Sequence, residues 1–338
     1  MAGRTRAIWN QARNQGIDPI ALQAPIRYFV FQDDPAIQNV PLPNGSYLLY
    51  SYGLQDLGEG DFLAGLFTAA EDAEQQVNLL SRYLQQYLRP GGNSGPLNFN
   101  GMLAHLSVQP APGQNGVNVQ GIGNWHSAVV GALRRRLDGF LTPTRAGRVI
   151  QRAQSTGNPV RFAALQANGM HVVQLSGLSD DAKRVVVNAV IREISEGLNS
   201  ANSHLRRVLV VADELNKFAP AGRPSPIKEQ VIDIVARGRD LRFSLVGAQQ
   251  FASEVDGQVY GNSATRVLGY SDVGELSNAI YRELGDFKES IPMLQKGQML
   301  FRHPVYPAPL IMWFPSPMHA VRPQPVVQQA VGGAQPSQ

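Results

Sequence analysis

The pair Asp213-Glu214 closes the aliphatic run in Val208 to Pro220, VLVVADELNKFAP. An apolar strand that delivers two adjacent carboxylates to a sheet edge suits phosphoryl-transfer chemistry. One carboxylate can hold the water shell of a Mg²⁺ ion, and the next can orient and polarise a water for attack on a terminal phosphate. The same pattern arises where a buried strand simply enters a loop, so a second signal is required. Ser225-Pro226 puts a proline in the first turn of a helix, IKEQVIDIVARGRD, and Phe243 to Ala248, FSLVGA, returns as another apolar strand. Strand, helix and strand at this length make a parallel crossover, the unit of an α/β sheet. Gln249 follows the returning strand at its carboxyl end. Ligands of open α/β sheets bind outside that edge, so Asp213, Glu214 and Gln249 are predicted on one rim.

Other elements must carry this unit. Ile26 to Gln32, IRYFVFQ, reads as a short buried strand between Pro25 and the turn signal Asp33-Asp34-Pro35, and Tyr47 to Tyr52 repeats the pattern. Apolar residues at helical spacing between Asp61 and Leu88 (Phe62, Leu63, Leu66, Phe67, then Leu79, Leu80, Tyr83, Leu84) predict two helices, ended by Arg89-Pro90-Gly91-Gly92. Residues 90–122, rich in Gly, Asn, Pro and Gln, read as an irregular insertion. His126 to Phe140 is a predicted helix that carries Arg134, Arg135 and Arg136. Consecutive arginines diverge around a helix, so these read either as solvated or as facing DNA or a nucleotide. Met170 to Ser176 is a predicted strand, and Ser179-Asp180 caps a helix over about 181–196. From about Pro317 the Pro- and Gln-rich tail has too little apolar content to pack and reads as disordered.

Composition narrows the classes. The 338 residues suffice for one large α/β domain, and 43% hydrophobic content is ordinary for a soluble protein. Thirty Lys and Arg against 26 Asp and Glu leave a net charge of +4, too small an excess to imply nucleic acid without a local cluster. The chain contains no cysteine, which excludes disulfides and thiolate metal sites and fits a reducing compartment. It has no signal-peptide core and no apolar run long enough for a membrane span, so a cytoplasmic protein without membrane contact is expected. The six His lack paired ligand spacing and no G-x-S-x-G elbow occurs, which argues against metal-hydrolase and serine-hydrolase chemistry.

The Asp-Glu pair, the helix ending Ala236-Arg237-Gly238-Arg239 and the strand ending Gly247-Ala248-Gln249 resemble, in this order, the C-terminal part of the HerA/FtsK superfamily. The likeness is nearest to bacterial members of the HerA-like branch. Matching stretches are VVADELNKFAP (210–220), SPIKEQVIDIVARGRDLRFSLVGAQQFASEV (225–255), NSATRVLG (262–269) and, more weakly, YGLQDLGEGD (52–61) and PLIMWFP (309–315). The resemblance implies a RecA-like P-loop NTPase core of α/β class with a mostly parallel sheet. It spans residues 25–316 with a helical and irregular insertion at about 58–140, after a lead-in over 1–24 and before a tail over 317–338. It also implies ATP and Mg²⁺ as cofactors, with Asp213 and Glu214 as the Walker B pair, Asp213 reaching the metal through water. Gln249 corresponds to the polar residue that senses the γ-phosphate, and Arg239 to a boundary arginine that contacts the neighbouring subunit's nucleotide. Arg239 reads alternatively as a cation at a helix C-terminus, and Gln249 as a strand-end amide bonded to the next loop. Lys217 and Arg266 lie near the same elements and read equally well as solvated or structural. The implied partners are double-stranded DNA, identical subunits in a hexamer, and a nuclease.

One departure stands out. Enzymes of this superfamily carry a loop of the form G-x-x-x-x-G-K-[ST], whose amides cradle phosphates while its Lys and hydroxyl hold charge and metal. The five lysines here, Lys183, Lys217, Lys228, Lys288 and Lys296, never follow a glycine. The chain therefore resembles a member lacking its N-terminal half, so the core is expected to be incomplete on that side, with a strand edge left open. Two readings follow: a translocase or helicase subunit whose loop comes from a P-loop-bearing partner, or a non-catalytic assembly or DNA-binding module.

Overall fold

The computed structural model describes residues 25–32, 34, 47–57, 98–120, 122–142, 149–222, 225 and 227–314, with scattered positions among 6–16. The helices expected between Asp61 and Leu88, their terminator and the tail from Pro317 lie outside the described residues. The chain divides into two units, one of residues 24–264 with 277–283, the other of 1–23, 265–276 and 284–338.

In the larger unit, β1 (Ile26–Val30) is flanked by β2 (Tyr47–Leu49) and by β5 (Met170–Val173), all parallel. Phe29 and Val30 of the central strand are buried, as is Phe31 just after it, in keeping with a strand paired on both edges. The insertion is more regular than its composition suggested. Residues 99–105 form helix α1, capped by Asn98, whose side chain accepts from the Gly101 amide. An antiparallel hairpin then joins β3 (Gly116–Val119) and β4 (Gly123–His126). Val117 and Val119 alternate inward along β3, a pattern too short to stand out among the surrounding Gly and Asn. Helix α2 (Ser127–Phe140) buries Val130, Leu133, Leu137 and Phe140, spaced by three and four residues. Helix α3 (Asp180–Asn199) begins at Ser179, whose hydroxyl accepts from the Ala182 amide as expected of an N-cap.

The weakly matching stretch at 52–61 contains a clamp that its sequence did not reveal. Asp56, with its side chain 2% exposed, accepts from the amides of Gly53 (2.8 Å) and Gly157 (2.6 Å) and pairs with Arg161 (3.3 Å). A Cβ at Gly53 would meet the backbone of Ser155, and one at Gly157 the backbone of Ser51. Both positions need glycine because two chain segments run against each other there.

Strands β6 (Val208–Asp213) and β7 (Phe243–Ala248) pair in parallel, with Val208 opposite Phe243 and Asp213 opposite Ala248. Helix α4 (Lys228–Arg237) is their crossover, as the spacing predicts, and buries Val231 and Ile234. Helix α5 (Gly257–Asn262) packs near it. The smaller unit contains an antiparallel sheet in the order β10 (Leu310–Trp313), β9 (Gln298–Arg302), β8 (Arg266–Leu268). Among the described residues no helix is long and apolar enough to cross a membrane.

Candidate nucleotide-binding rim

The β6–β7 pair has two unlike faces. Val208, Val210 and Ala212 alternate inward with Phe243 and Leu245 and pack on the core. Leu209 and Val211 point the other way with Val246, and they are 61%, 69% and 49% exposed. The run expected to be a buried strand is therefore buried on one face only. Parallel sheets are ordinarily covered on both faces because their crossovers place helices there. Among the described residues this sheet has two strands, so one edge of each is open as well.

Asp213 ends β6 on the bare face, in register with Leu209 and Val211, and is exposed. Its Oδ1 accepts from the Glu214 amide at 3.0 Å. Glu214 has φ 53° and ψ 50°, a left-handed conformation uncommon for a non-glycine residue. The turn is held from below. Leu215 is buried in the space a Cβ on Gly247 would need, so a glycine at the paired strand lets the chain turn under the sheet end. The following segment is then tied at both sides. Arg184 donates from Nε to the Lys217 carbonyl (3.1 Å), Lys228 donates to the Pro220 carbonyl (3.1 Å), and Asn216 donates to Glu254 (2.7 Å).

Sequence reasoning left Lys217 undecided, and the structure gives it a definite partner. Its Nζ lies 2.7 Å from Glu214 Oε2 and 3.8 Å from Asp180 Oδ1. The Glu214 hydrogen bond raises the lysine above its ordinary value against partial desolvation, with Asp180 adding to the rise. Glu214 is thus ion-paired with a lysine three residues on, a geometry set by the short helical turn Leu215–Lys217.

Gln249 follows Ala248, the residue opposite Asp213, so the structure brings Asp213, Glu214 and Gln249 to one rim. The Gln249 Oε1 is buried and makes no hydrogen bond, an orphaned acceptor at the sheet end. Arg239 is not part of this group. It sits exposed in the turn that leads into β7, at the opposite end of six-residue strands. At about 3.3 Å of rise per residue, the rim lies roughly 17 to 20 Å away. Arg134, Arg135 and Arg136 lie on α2, the first two exposed and the third half-buried.

No family model matches the chain. No curated protein matches it either. Solved structures do. The bacterial conjugative coupling protein TrwB, lacking its first 70 residues and unbound, aligns with a TM-score of 0.53 at 10% identity over 94% of this chain and 86% of that one. The plasmid coupling protein TrwB in complex with the non-hydrolysable GTP analogue GDPNP gives 0.54 at 10% identity over 86% and 81%. The genome packaging NTPase B204 of Sulfolobus turreted icosahedral virus 2 is also similar, at 14% identity over 46% and 72%, but its TM-score of 0.35 carries no argument. The parallel strands, their helical crossover and this likeness agree: the chain has an α/β fold of the RecA-like P-loop NTPase class, similar to that of TrwB.

Proposed function

We propose that the chain is the Walker B-bearing part of an ATP-dependent double-stranded DNA translocase or helicase of HerA type. The phosphate-gripping loop arrives on a strand–loop–helix unit that docks on the bare side of the β6–β7 pair. One observation carries this reading: Asp213 shares its face with the exposed Leu209 and Val211. A parallel strand added along β7 requires a crossover helix, and that helix would bury Leu209, Val211 and Val246. The loop between the added strand and its helix would then open beside the Asp213 carboxylate.

The residues present fit half of a nucleotide site. An exposed carboxylate at a strand end, Asp213, suits the water shell of a hard divalent cation. The orphaned Gln249 amide suits a polar ligand or water at the same rim. No Gly-rich loop with a following lysine occurs in the sequence, so the phosphates need a holder from elsewhere. Bound MgATP would supply the phosphoanhydride whose hydrolysis drives DNA movement. On this chain Asp213 would hold the metal's water shell, Glu214 would orient the attacking water and take its proton, and Gln249 would register the terminal phosphate. For Glu214 to act as a base it must first leave Lys217.

Arg239 is too far from its own rim to serve it, so in this reading it acts on a neighbouring subunit. A planar guanidinium suits charge spreading over phosphoryl oxygens. A head-to-tail hexamer in the cytoplasm, working on duplex DNA beside a nuclease, completes the proposal by resemblance. The ion pair between Lys217 and Glu214 favours a second reading, a module that keeps the fold without turnover.

DNA-stimulated ATP hydrolysis separates the two. The full chain is assayed alone and mixed with a polypeptide that bears the missing loop, first as wild type and then as Glu214→Gln. Turnover that appears in the mixture and vanishes in the variant, while nucleotide binding persists, supports the motor. Silence in every arm, with the fold intact, supports the module.

A further inference from the structure

Five described arginines outside the sheet ends have carboxylate partners. Arg152 pairs with Asp138, Arg161 with Asp56 and Glu193, Arg184 with Asp181, Arg192 with Glu196, and Arg237 with Asp233. The amino-terminal end of the β6–β7 pair is different. Arg206 and Arg207 lead directly into β6, and Arg242 leads directly into β7. Val208 and Phe243 are register partners and the Val208 amide donates to the Arg242 carbonyl at 3.1 Å, so Arg207 and Arg242 flank the same end of the sheet. Arg206 and Arg207 are exposed and Arg242 half-buried, and none has an ion pair or side-chain hydrogen bond among the described residues. The one carboxylate in the adjoining turn is Asp240.

Arg242 also has φ 57°, in the left-handed region where glycine would sit without strain. A non-glycine residue in this conformation is strained, and the sheet end that holds it carries two further arginines without carboxylate partners. A single arginine acting on a neighbour's nucleotide would account for Arg239 and leaves these three unexplained. Arginines gathered at one sheet end without carboxylate partners suit the oxygens of a phosphodiester backbone.

We propose that Arg206, Arg207 and Arg242 form a binding site for the sugar–phosphate backbone of duplex DNA, at the end of the sheet opposite Asp213. The proposal rests on the DNA-handling reading above and assigns it contacts that the sequence did not identify. Such binding reads no bases, and its affinity falls with salt in proportion to the phosphates neutralised.

The test is fluorescence anisotropy of a labelled random-sequence duplex with the full chain over a salt series. Arg206→Ala/Arg207→Ala should weaken binding at least tenfold at low salt and reduce the log–log salt slope by about 2, at roughly 0.9 per lost phosphate contact. Arg242→Gly should reduce the slope by about 1 while its melting temperature stays at or above that of the wild type, because glycine relaxes the left-handed position. Unchanged affinity and slope in both variants would overturn the proposal, as would a wild type that does not retain the duplex. Variants that abolish self-association by sedimentation while leaving DNA affinity intact would overturn it too, and would make this arginine-bearing sheet end an interface between copies. The motor reading stands or falls separately, on the Glu214→Gln turnover assay.

Discussion

The two faces of the β6–β7 pair are built from the same residue types and have opposite fates. Val208, Val210, Phe243 and Leu245 lie against the core, whereas Leu209, Val211 and Val246 stand in the open. Aliphatic side chains on a covered face stabilise the fold through burial and dispersion, and the same side chains on a bare face contribute almost nothing until something covers them. The docking proposed above would cover this face, and Asp213 stands on it.

The sharpest way to break this contrast is to truncate one residue on each face. Phe243→Ala removes a buried ring and should cost about 4 kcal/mol in chemical denaturation. A cost below about 1 kcal/mol would show that the inner face is not core. Somewhat smaller is the effect of cutting the tether of the crossover helix. Lys228 and Asp256 pair at 2.6 Å with both side chains 14% exposed, and Lys228→Met should cost about 3 kcal/mol by leaving the carboxylate unpaired.

That pair also gives a pH signature. Burial works to raise Asp256, but hydrogen bonds from Lys228 and the Gln258 amide outweigh it and hold the carboxyl below its usual 3.8. A depressed folded value means the contribution is fully present above about pH 4 and is lost as pH falls through the lower folded value. In Lys228→Met the acid limb of the stability curve should flatten, and an unchanged limb would count against the pair. Gly247→Ala should cost about 2 kcal/mol, because its methyl would occupy the space of Leu215 under the Glu214 turn. Val211→Thr is the smallest of the series, within about 0.5 kcal/mol for the chain alone. In the mixture with a loop-bearing partner the same substitution should weaken association, and equal association would mean that the face is not the docking surface.

Much of the framework was legible in the residues. The capping serine before α3 and the aliphatic runs of β6 and β7 each have a local cause, and these elements formed at their expected places within a few residues, whereas α4 begins at Lys228, after the proline expected in its first turn. The convergence of Asp213, Glu214 and Gln249 followed from the parallel crossover alone. The hairpin at 116–126 and the helix at 99–105 were hidden, because a four-residue strand among Gly and Asn carries too little periodicity to outweigh its composition. The Asp56 clamp was hidden for another reason: its amide donors come from Gly53 and Gly157, more than a hundred residues apart in the chain.

By itself the sequence determined which residues are candidates for the chemistry, the α/β order of the elements, and the lack of a phosphate loop in this chain. Those properties depend on residue type and short-range spacing. Only the tertiary structure decided that Lys217 holds Glu214, that Arg239 stands at the far end of the sheet from the carboxylates, and that half of an aliphatic strand is bare. An unbroken run such as Val208 to Val211 has no alternation to say which face is covered, since burial is a property of what packs against a strand and not of the strand alone.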